Sequence, residues 1–324
     1  MALNLDNYEN FYSKEKIYLS YKLLNKLNPD TGMIPNVSSG EELDFLISIY
    51  KNHNIFGSIY PECRFGRLVH LTNHSESILR NQQAGYSPIY EGKFIELYTS
   101  KFATFKDMPD SEKYKNKATA KAIEDEDEYP QSRFFIRNDV WKNLSKSFSC
   151  DYVIAWRSLT SATNRRTMLA TILPLIPTCQ SIQILQLSEK KMLHILALFN
   201  SIVFDYIVRL KMAGLDLTQT IIKQIPVPDE HLYNTLIVFK GIETTIEVHI
   251  NSRIKELYKT DKRNNALFKN IKTYPLQADK TKKEIIAEID SLVAKLYSIN
   301  EEILRKIALS FPTYYSKEEV ERLF

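Results

Sequence analysis

Three groups of side chains in this chain could do chemistry on a partner. Arg64, Arg67, His70, Asn73 and His74 make the first; Arg133, Arg137 and Trp141 the second; Trp156, Arg157, Asn164, Arg165, Arg166 and Thr167 the third. Arg and Lys neutralise phosphates, while Arg forks onto the edge of guanine and Asn onto that of adenine. Such a mixture suits grasping a polyanion better than making or breaking bonds. Its bland counterpart is a solvated surface, since exposed arginines are common on any protein.

Catalytic constellations are harder to find. Amino-group methylation of DNA needs an Asn/Asp/Ser-Pro-Pro-aromatic loop to hold the target amine, and no Pro-Pro dipeptide occurs in the chain. The glycines of Phe56-Gly57 and Phe65-Gly66 are isolated, so no glycine-rich turn offers a seat for S-adenosylmethionine. A metal-dependent nuclease needs two carboxylates round Mg²⁺ with a lysine beside the attacking water. Glu91-Gly92-Lys93 supplies the short half of that pattern, but no Pro-Asp lies within a hairpin's distance upstream. His70 and His74 stand at i, i+4, a spacing that binds metal on a helix. The alternation of Leu68, His70, Thr72 and His74 against Val69, Leu71 and Asn73 predicts a strand instead, with the imidazoles separated along it. No catalytic residue, metal ligand or cofactor-binding residue is assigned to this chain.

Composition sets the frame for these readings. The chain is 44% apolar and 25% charged, which predicts an ordinary globular protein rather than a disordered one. Its 324 residues can bury a sizeable core, and the length favours two domains. A net charge of +4 permits a nucleic-acid partner without requiring one. Cys63, Cys150 and Cys179 are far apart with no CxxC pair, which predicts neither a zinc knuckle nor a disulfide framework and fits a reducing cytoplasm. The start, Met1-Ala2-Leu3-Asn4-Leu5-Asp6, does not read as a signal peptide. The most apolar stretch, 192–208, is interrupted by His194, Asn200, Ser201 and Asp205, which predicts a buried helix and no membrane span. Asp205 is expected to fix that helix by bonding to backbone or loops; the roles of Asn200 and Ser201 stay open.

Element by element, helical spacing predicts a helix over 9–27, closed by a turn at Asn28-Pro29-Asp30-Thr31-Gly32. Ser39 caps a second helix through residue 50. Strand-like runs follow at 68–71, 78–79 and 94–98, continuing to 102–105, and residues 106–132 form a polar interlude. Its tract Glu124-Asp125-Glu126-Asp127-Glu128 reads as an exposed loop or a short surface helix. Strands are predicted at 151–156 and 168–174, then a helix capped by Ser188 and running to about Met212, ended by Gly214. Beyond Ile225-Pro226-Val227-Pro228 the chain reads as mostly helical, with 259–281 a charged connector. Three regions result: a helical linker at 1–58, a mixed α/β domain at 59–228, and a mainly α-helical domain at 229–324.

Collinear motifs then carry a resemblance over nearly the whole chain. They are Phe65-Gly66-Arg67-Leu68-Val69-His70-Leu71-Thr72-Asn73, Pro88-Ile89-Tyr90-Glu91-Gly92-Lys93-Phe94-Ile95 and Phe102-Ala103-Thr104-Phe105. Ala155-Trp156-Arg157, Asn164-Arg165-Arg166-Thr167-Met168, Ile172-Leu173-Pro174, the run from Leu198 to Tyr206, and Lys223-Gln224-Ile225-Pro226-Val227-Pro228 continue the order, with a tail at 289–297 and Ser310-Phe311-Pro312. This order resembles the C-terminal target-recognition region of large DNA N6-adenine methyltransferases of type IIG restriction-modification and phage-defence systems, including the BREX and DISARM kinds. The resemblance implies a region that grips duplex DNA and reads its sequence while a separate methylase flips and methylates adenine. The methylase core itself is missing. The implied role is therefore a recognition subunit or fragment, with S-adenosylmethionine bound by a partner methyltransferase or restriction subunit, and with no cofactor in this chain. The expected DNA-binding residues are Arg64, Arg67, His70, Asn73, His74, Arg157, Asn164, Arg165, Arg166 and Thr167, of which Arg157 also supports the loop that follows it. The alternative is a methyltransferase or endonuclease in its own right, with a site the sequence does not reveal; a third reading is a protein-interaction scaffold.

Overall fold

Strand Tyr152–Arg157 shows why the middle of the chain folds as a sheet covered on both faces. Val153 and Ala155 enter one apolar cluster with Phe94, Phe105, Leu173 and Ile184, whereas Ile154 and Trp156 enter another with Ile172, Leu196 and Phe199. A strand buried on both sides reads in sequence as an unbroken apolar run, which is why this element is legible there. The computed structural model describes residues 16–28, 32, 34–115, 118–125, 127–212 and 214–324. In it, four strands lie in the order Arg64–Gly66, Ile182–Gln186, Tyr152–Arg157, Ala170–Pro174, every neighbouring pair antiparallel. Smaller sheets flank this one: Phe135–Arg137 between Ile78–Leu79 and Tyr86–Pro88, and Ala103–Thr104 against Lys121–Ala122.

One face of the main sheet is packed by helices Glu189–Asn200 and Ile202–Lys211. A single helix was expected here. The chain instead bends by 64° at Ser201, which adopts an extended conformation. Its hydroxyl accepts from the Phe204 amide and donates to the Leu198 carbonyl, so one side chain ends the first helix and caps the second. Asn200, just before the bend, turns its amide onto the outer strand: Oδ1 accepts from Ala170 N and Nδ2 donates to Ala170 O, both at 2.9 Å. A side chain thus stands where a fifth strand would pair. Among the described residues, no single helix is long and apolar enough to cross a membrane.

Several other expectations change. Helix Tyr21–Leu27 is shorter than predicted, capped by Ser20 with residues 16–20 non-helical; residues 9–15 and Pro29 to Thr31 lie outside the described residues. Residues 68–71 make no strand, only a single bridge from Val69 to Cys179. In place of a strand over 94–98 there is a helical turn at Gly92–Phe94 and a tight turn in which Tyr98 takes φ 57. After Pro228 comes a β-hairpin, Leu236–Phe239 with Ile242–Thr245, before the helices resume. Lys240 and Gly241 both take positive φ at its tip, as a type I′ hairpin turn requires.

The mixed α/β character is as expected. The main apolar cluster, however, runs from Leu27 to Val320, so the regions read at 1–58, 59–228 and 229–324 share one core. Ile225–Pro228, expected as punctuation, is buried: Phe56 N donates to Ile225 O and Val227 N to Asn54 O.

Helix Lys282–Leu296 supplies the strongest link across these regions. Its Asp290, fully buried, accepts from Ile202 N at the start of the bent helix and from the Tyr315 hydroxyl, each at 2.9 Å. Burial pushes the Asp290 carboxyl from 3.8 up to about 7, against the pull of Arg166 and these two hydrogen bonds. The native state therefore holds this proton more tightly than the unfolded chain does. Its contribution to stability is complete below pH 4 and is lost as pH rises through 7. Asp290→Asn keeps an acceptor for Ile202 N and turns an amide donor toward the Tyr315 hydroxyl, which then accepts, without the charge. Relative to the parent, it should gain stability between pH 4 and pH 8, on the order of 4 kcal/mol at the upper end. Urea unfolding at both pH values reads this; a stability difference that does not change with pH would contradict it.

Candidate nucleic-acid interface

The loops from the two predicted binding segments meet at one end of the main sheet. Gly66 pairs with Ile184 and Arg157 with Ile182, so the chain leaves both strands beside residues 178–181. Gln180 ties them together. Its carbonyl accepts from Arg67 Nε at 2.5 Å and from the Ser158 hydroxyl at 3.2 Å, and its side chain accepts from Leu71 N. Arg67 spends its other nitrogens on Asp216 (2.8 Å) and Ser158 (3.2 Å). Arg157 donates to Gly92 O at 2.7 Å and lies over the exposed ring of Phe102. Burial lowers the Arg157 pKa from its ordinary value, and Glu96 pulls the other way. Both arginines are cross-links between loops first, with only partial exposure left for a partner.

The Asn164 loop is anchored from beneath. Arg166, 3% exposed, donates through Nε to Asp205 at 2.7 Å and through Nη2 to Asn200 O at 2.6 Å. The Thr167 amide also donates to Asp205, at 3.0 Å. From the next turn of the helix, Arg209 donates to Thr167 Oγ1, to Asn164 O at 2.5 Å and to Arg165 O at 3.2 Å, with its guanidinium 3.8 Å over Phe311. Burial alone would lower the Arg166 pKa, but Asp205, Tyr314 and Asp290 outweigh it and hold the cation. Two of the ten expected contact residues, Arg166 and Thr167, are therefore buried in the support of the loop, and their side chains are withdrawn from its surface. What the loop presents is Thr163, Asn164 and Arg165, the last stacked 5.0 Å over Tyr314.

The first segment divides in the same way. Asn73 is exposed. His70 and His74 are not spread along a strand: the chain turns, His74 N donates to His70 O, and His70 N donates to His74 Nδ1 at 3.0 Å. With Nδ1 accepting, the proton of a neutral His74 sits on Nε2. Among the described residues, no group of three or more His, Cys, Asp or Glu side chains could hold a metal. Arg64 is exposed but pairs with Gln186 at the far end of its strand, away from the Gln180 knot. Of the second sequence group, Arg133 is buried and forks onto Glu91 with two 2.9 Å bonds, so Glu91 is an internal counter-ion.

Other residues belong to this surface that sequence reasoning did not single out: Arg209, Tyr314, Gln180 and Lys282. Arg209 had a visible signal, its i+4 spacing from Asp205. Lys282 had none. It is exposed, yet the protein around its ammonium lowers its pKa, with Glu96 pulling the other way. Glu96 thus acts on Arg157, Lys282 and the buried Tyr314 together. Burial raises all three thiols, Cys63 to about 12, Cys150 to about 11, and Cys179 upward, so none is a thiolate at neutral pH. The exposed groups here offer hydrogen bonds and charge.

Removing Asp205 tests how far the loop depends on its anchor. Asp205→Ala leaves the Arg166 cation buried without its carboxylate, a change that costs about 3–5 kcal/mol, and thermal unfolding should fall accordingly. An unchanged melting temperature would mean that the pair does not hold the loop. Compared with known proteins, the chain matches no family model and no curated sequence.

Proposed function

We propose that the chain is a sequence-specific duplex-DNA recognition unit of a restriction-modification or phage-defence system. The covalent step, N6-adenine methylation with S-adenosylmethionine or cleavage, falls to a partner methyltransferase or restriction subunit. One observation carries this reading: Arg165 is held outward, beside an exposed Asn164 whose amide Nδ2 is steadied by Thr160 Oγ1 at 3.2 Å, on a loop whose underside is locked by Arg166, Asp205 and Arg209. Asn and Arg are the residues that read adenine and guanine edges in the major groove. A loop fixed before binding loses little entropy when it docks. Asn73, at the same end of the sheet, extends the surface, and the collinear motif order through the chain supports the same assignment.

The test is selection of binding sites from a random duplex library, followed by binding measurements on the enriched sequence. Arg165→Ala should weaken that complex by roughly 1–3 kcal/mol if the side chain reads a base. Because Arg165 is exposed, the same variant should unfold at the parent's temperature. No enrichment from the library, or full affinity in the folded variant, would refute the reading. Methyl transfer to DNA by the chain alone would assign the chemistry to this polypeptide instead.

A further inference from the structure

The acidic tract of the polar interlude is exposed at Glu124, Asp125 and Asp127, yet its last two residues are paired with cations. Like charges in a row repel and ordinarily stay hydrated. Here Asp127 reaches Lys262 at 2.7 Å, and Glu128 reaches Lys106 at 3.4 Å. Tyr129, the next residue, is clamped between two further cations, with Lys101 Nζ 4.6 Å and the Arg263 guanidinium 4.2 Å from its ring. The cations continue along the segment expected to be a charged connector. Lys259 and Lys269, with Lys255 of the preceding helix, line an open groove of 840 Å³ beside it, where Glu256 pairs with Lys259 at 2.7 Å. The end of the acidic tract thus meets one lysine of its own interlude and one of the 259–281 segment, neither used by the loop surface described above.

We propose that Lys106 and Lys262 form a seat for the phosphate backbone of nucleic acid, with Lys101 and the Asp261-paired Arg263 beneath them, and that Asp127 and Glu128 cover it as an internal competitor. The choice of occupant rests on the proposed function; the cover itself rests on the ion pairs. Lys106 is 42% and Glu128 21% exposed, while Asp127 and Lys262 are each more than two-thirds exposed. Exposed pairs of this kind contribute little and are readily exchanged. A duplex offers a row of phosphates and releases condensed counterions on binding, which a pair of tethered carboxylates does not. The tract therefore weakens non-specific attachment at this seat and yields to a duplex that is already held elsewhere.

The test uses the full chain and a labelled duplex at several salt concentrations. Asp127→Asn with Glu128→Gln uncovers the two lysines. Affinity at low salt should rise about tenfold, and the slope of log K against log salt should steepen by about 2, one phosphate for each freed cation. Glu301→Gln with Glu302→Gln is the matched control. It changes net charge equally and frees Arg305 and Lys306 from two exposed pairs elsewhere. That variant should stay within about twofold of the parent. Adding Lys106→Gln and Lys262→Gln to the uncovered chain should return affinity and slope to the parent's values. Equal gains in the control, or no gain in the uncovered chain while the parent binds, would overturn the cover and leave the recognition reading standing. Failure of every form to bind any duplex at low salt would overturn both.

Discussion

The loop that presents Asn164 and Arg165 is a fixed object because a carboxylate, Asp205, is buried beneath it. Taking a guanidinium and a carboxylate out of water is expensive, and their mutual attraction offsets that cost only when the remaining donors and acceptors are also matched. Here nearly all are. Asp205 accepts from Arg166 Nε and from the Thr167 amide, while Arg166 Nη2 finds the Asn200 carbonyl. A pair of this kind adds little net stability over two well-packed apolar groups. It specifies instead. Slippage of the loop by one residue would strand a charge in the core, so only one register is accessible.

The same logic runs through the helix beneath the loop. Asn200, Ser201 and Asp205 are polar residues in an otherwise apolar stretch, and each is matched to a different neighbour. Asn200 closes the sheet edge at Ala170, Ser201 breaks and restarts the helix, and Asp205 anchors the loop. Asp290, arriving from helix Lys282–Leu296, caps the restarted segment at Ile202. Four buried polar side chains therefore fasten sheet, helix pair, Asn164 loop and helix Lys282–Leu296 into one unit. This is why an apparent boundary at the Pro226 and Pro228 segment divides the sequence but not the core.

How much of this was legible in the sequence depended on whether the signal was local. Strand Tyr152–Arg157 and the Ser39 cap are local features, an apolar run and a side-chain acceptor before a helical pattern, and both stand where expected. The break at Ser201 was hidden by uniform hydrophobicity on either side, because apolar periodicity cannot distinguish one long buried helix from two. The hairpin after Pro228 was legible and missed. Leu236 to Phe239 is β-branched or apolar, Lys240-Gly241 is turn material, and Thr244-Thr245 continues the strand. The Asn164 loop was identified from residue types alone. Which of its two arginines faces outward was not, since that is set by Asp205 and Arg209, some forty positions away.

That last point governs what the chain's charge can do. Arg67, Arg133, Arg157, Arg166, Arg209 and Arg253 all donate to carbonyls or carboxylates of the protein itself. The guanidinium serves here as an internal cross-link, its planar fork joining loops that no strand connects. A count of arginines therefore overstates the field available to a polyanion. On the Asn164 loop the outward guanidinium is that of Arg165. Arg165 can act at a defined position only because Arg166, its neighbour in the chain, is locked inward.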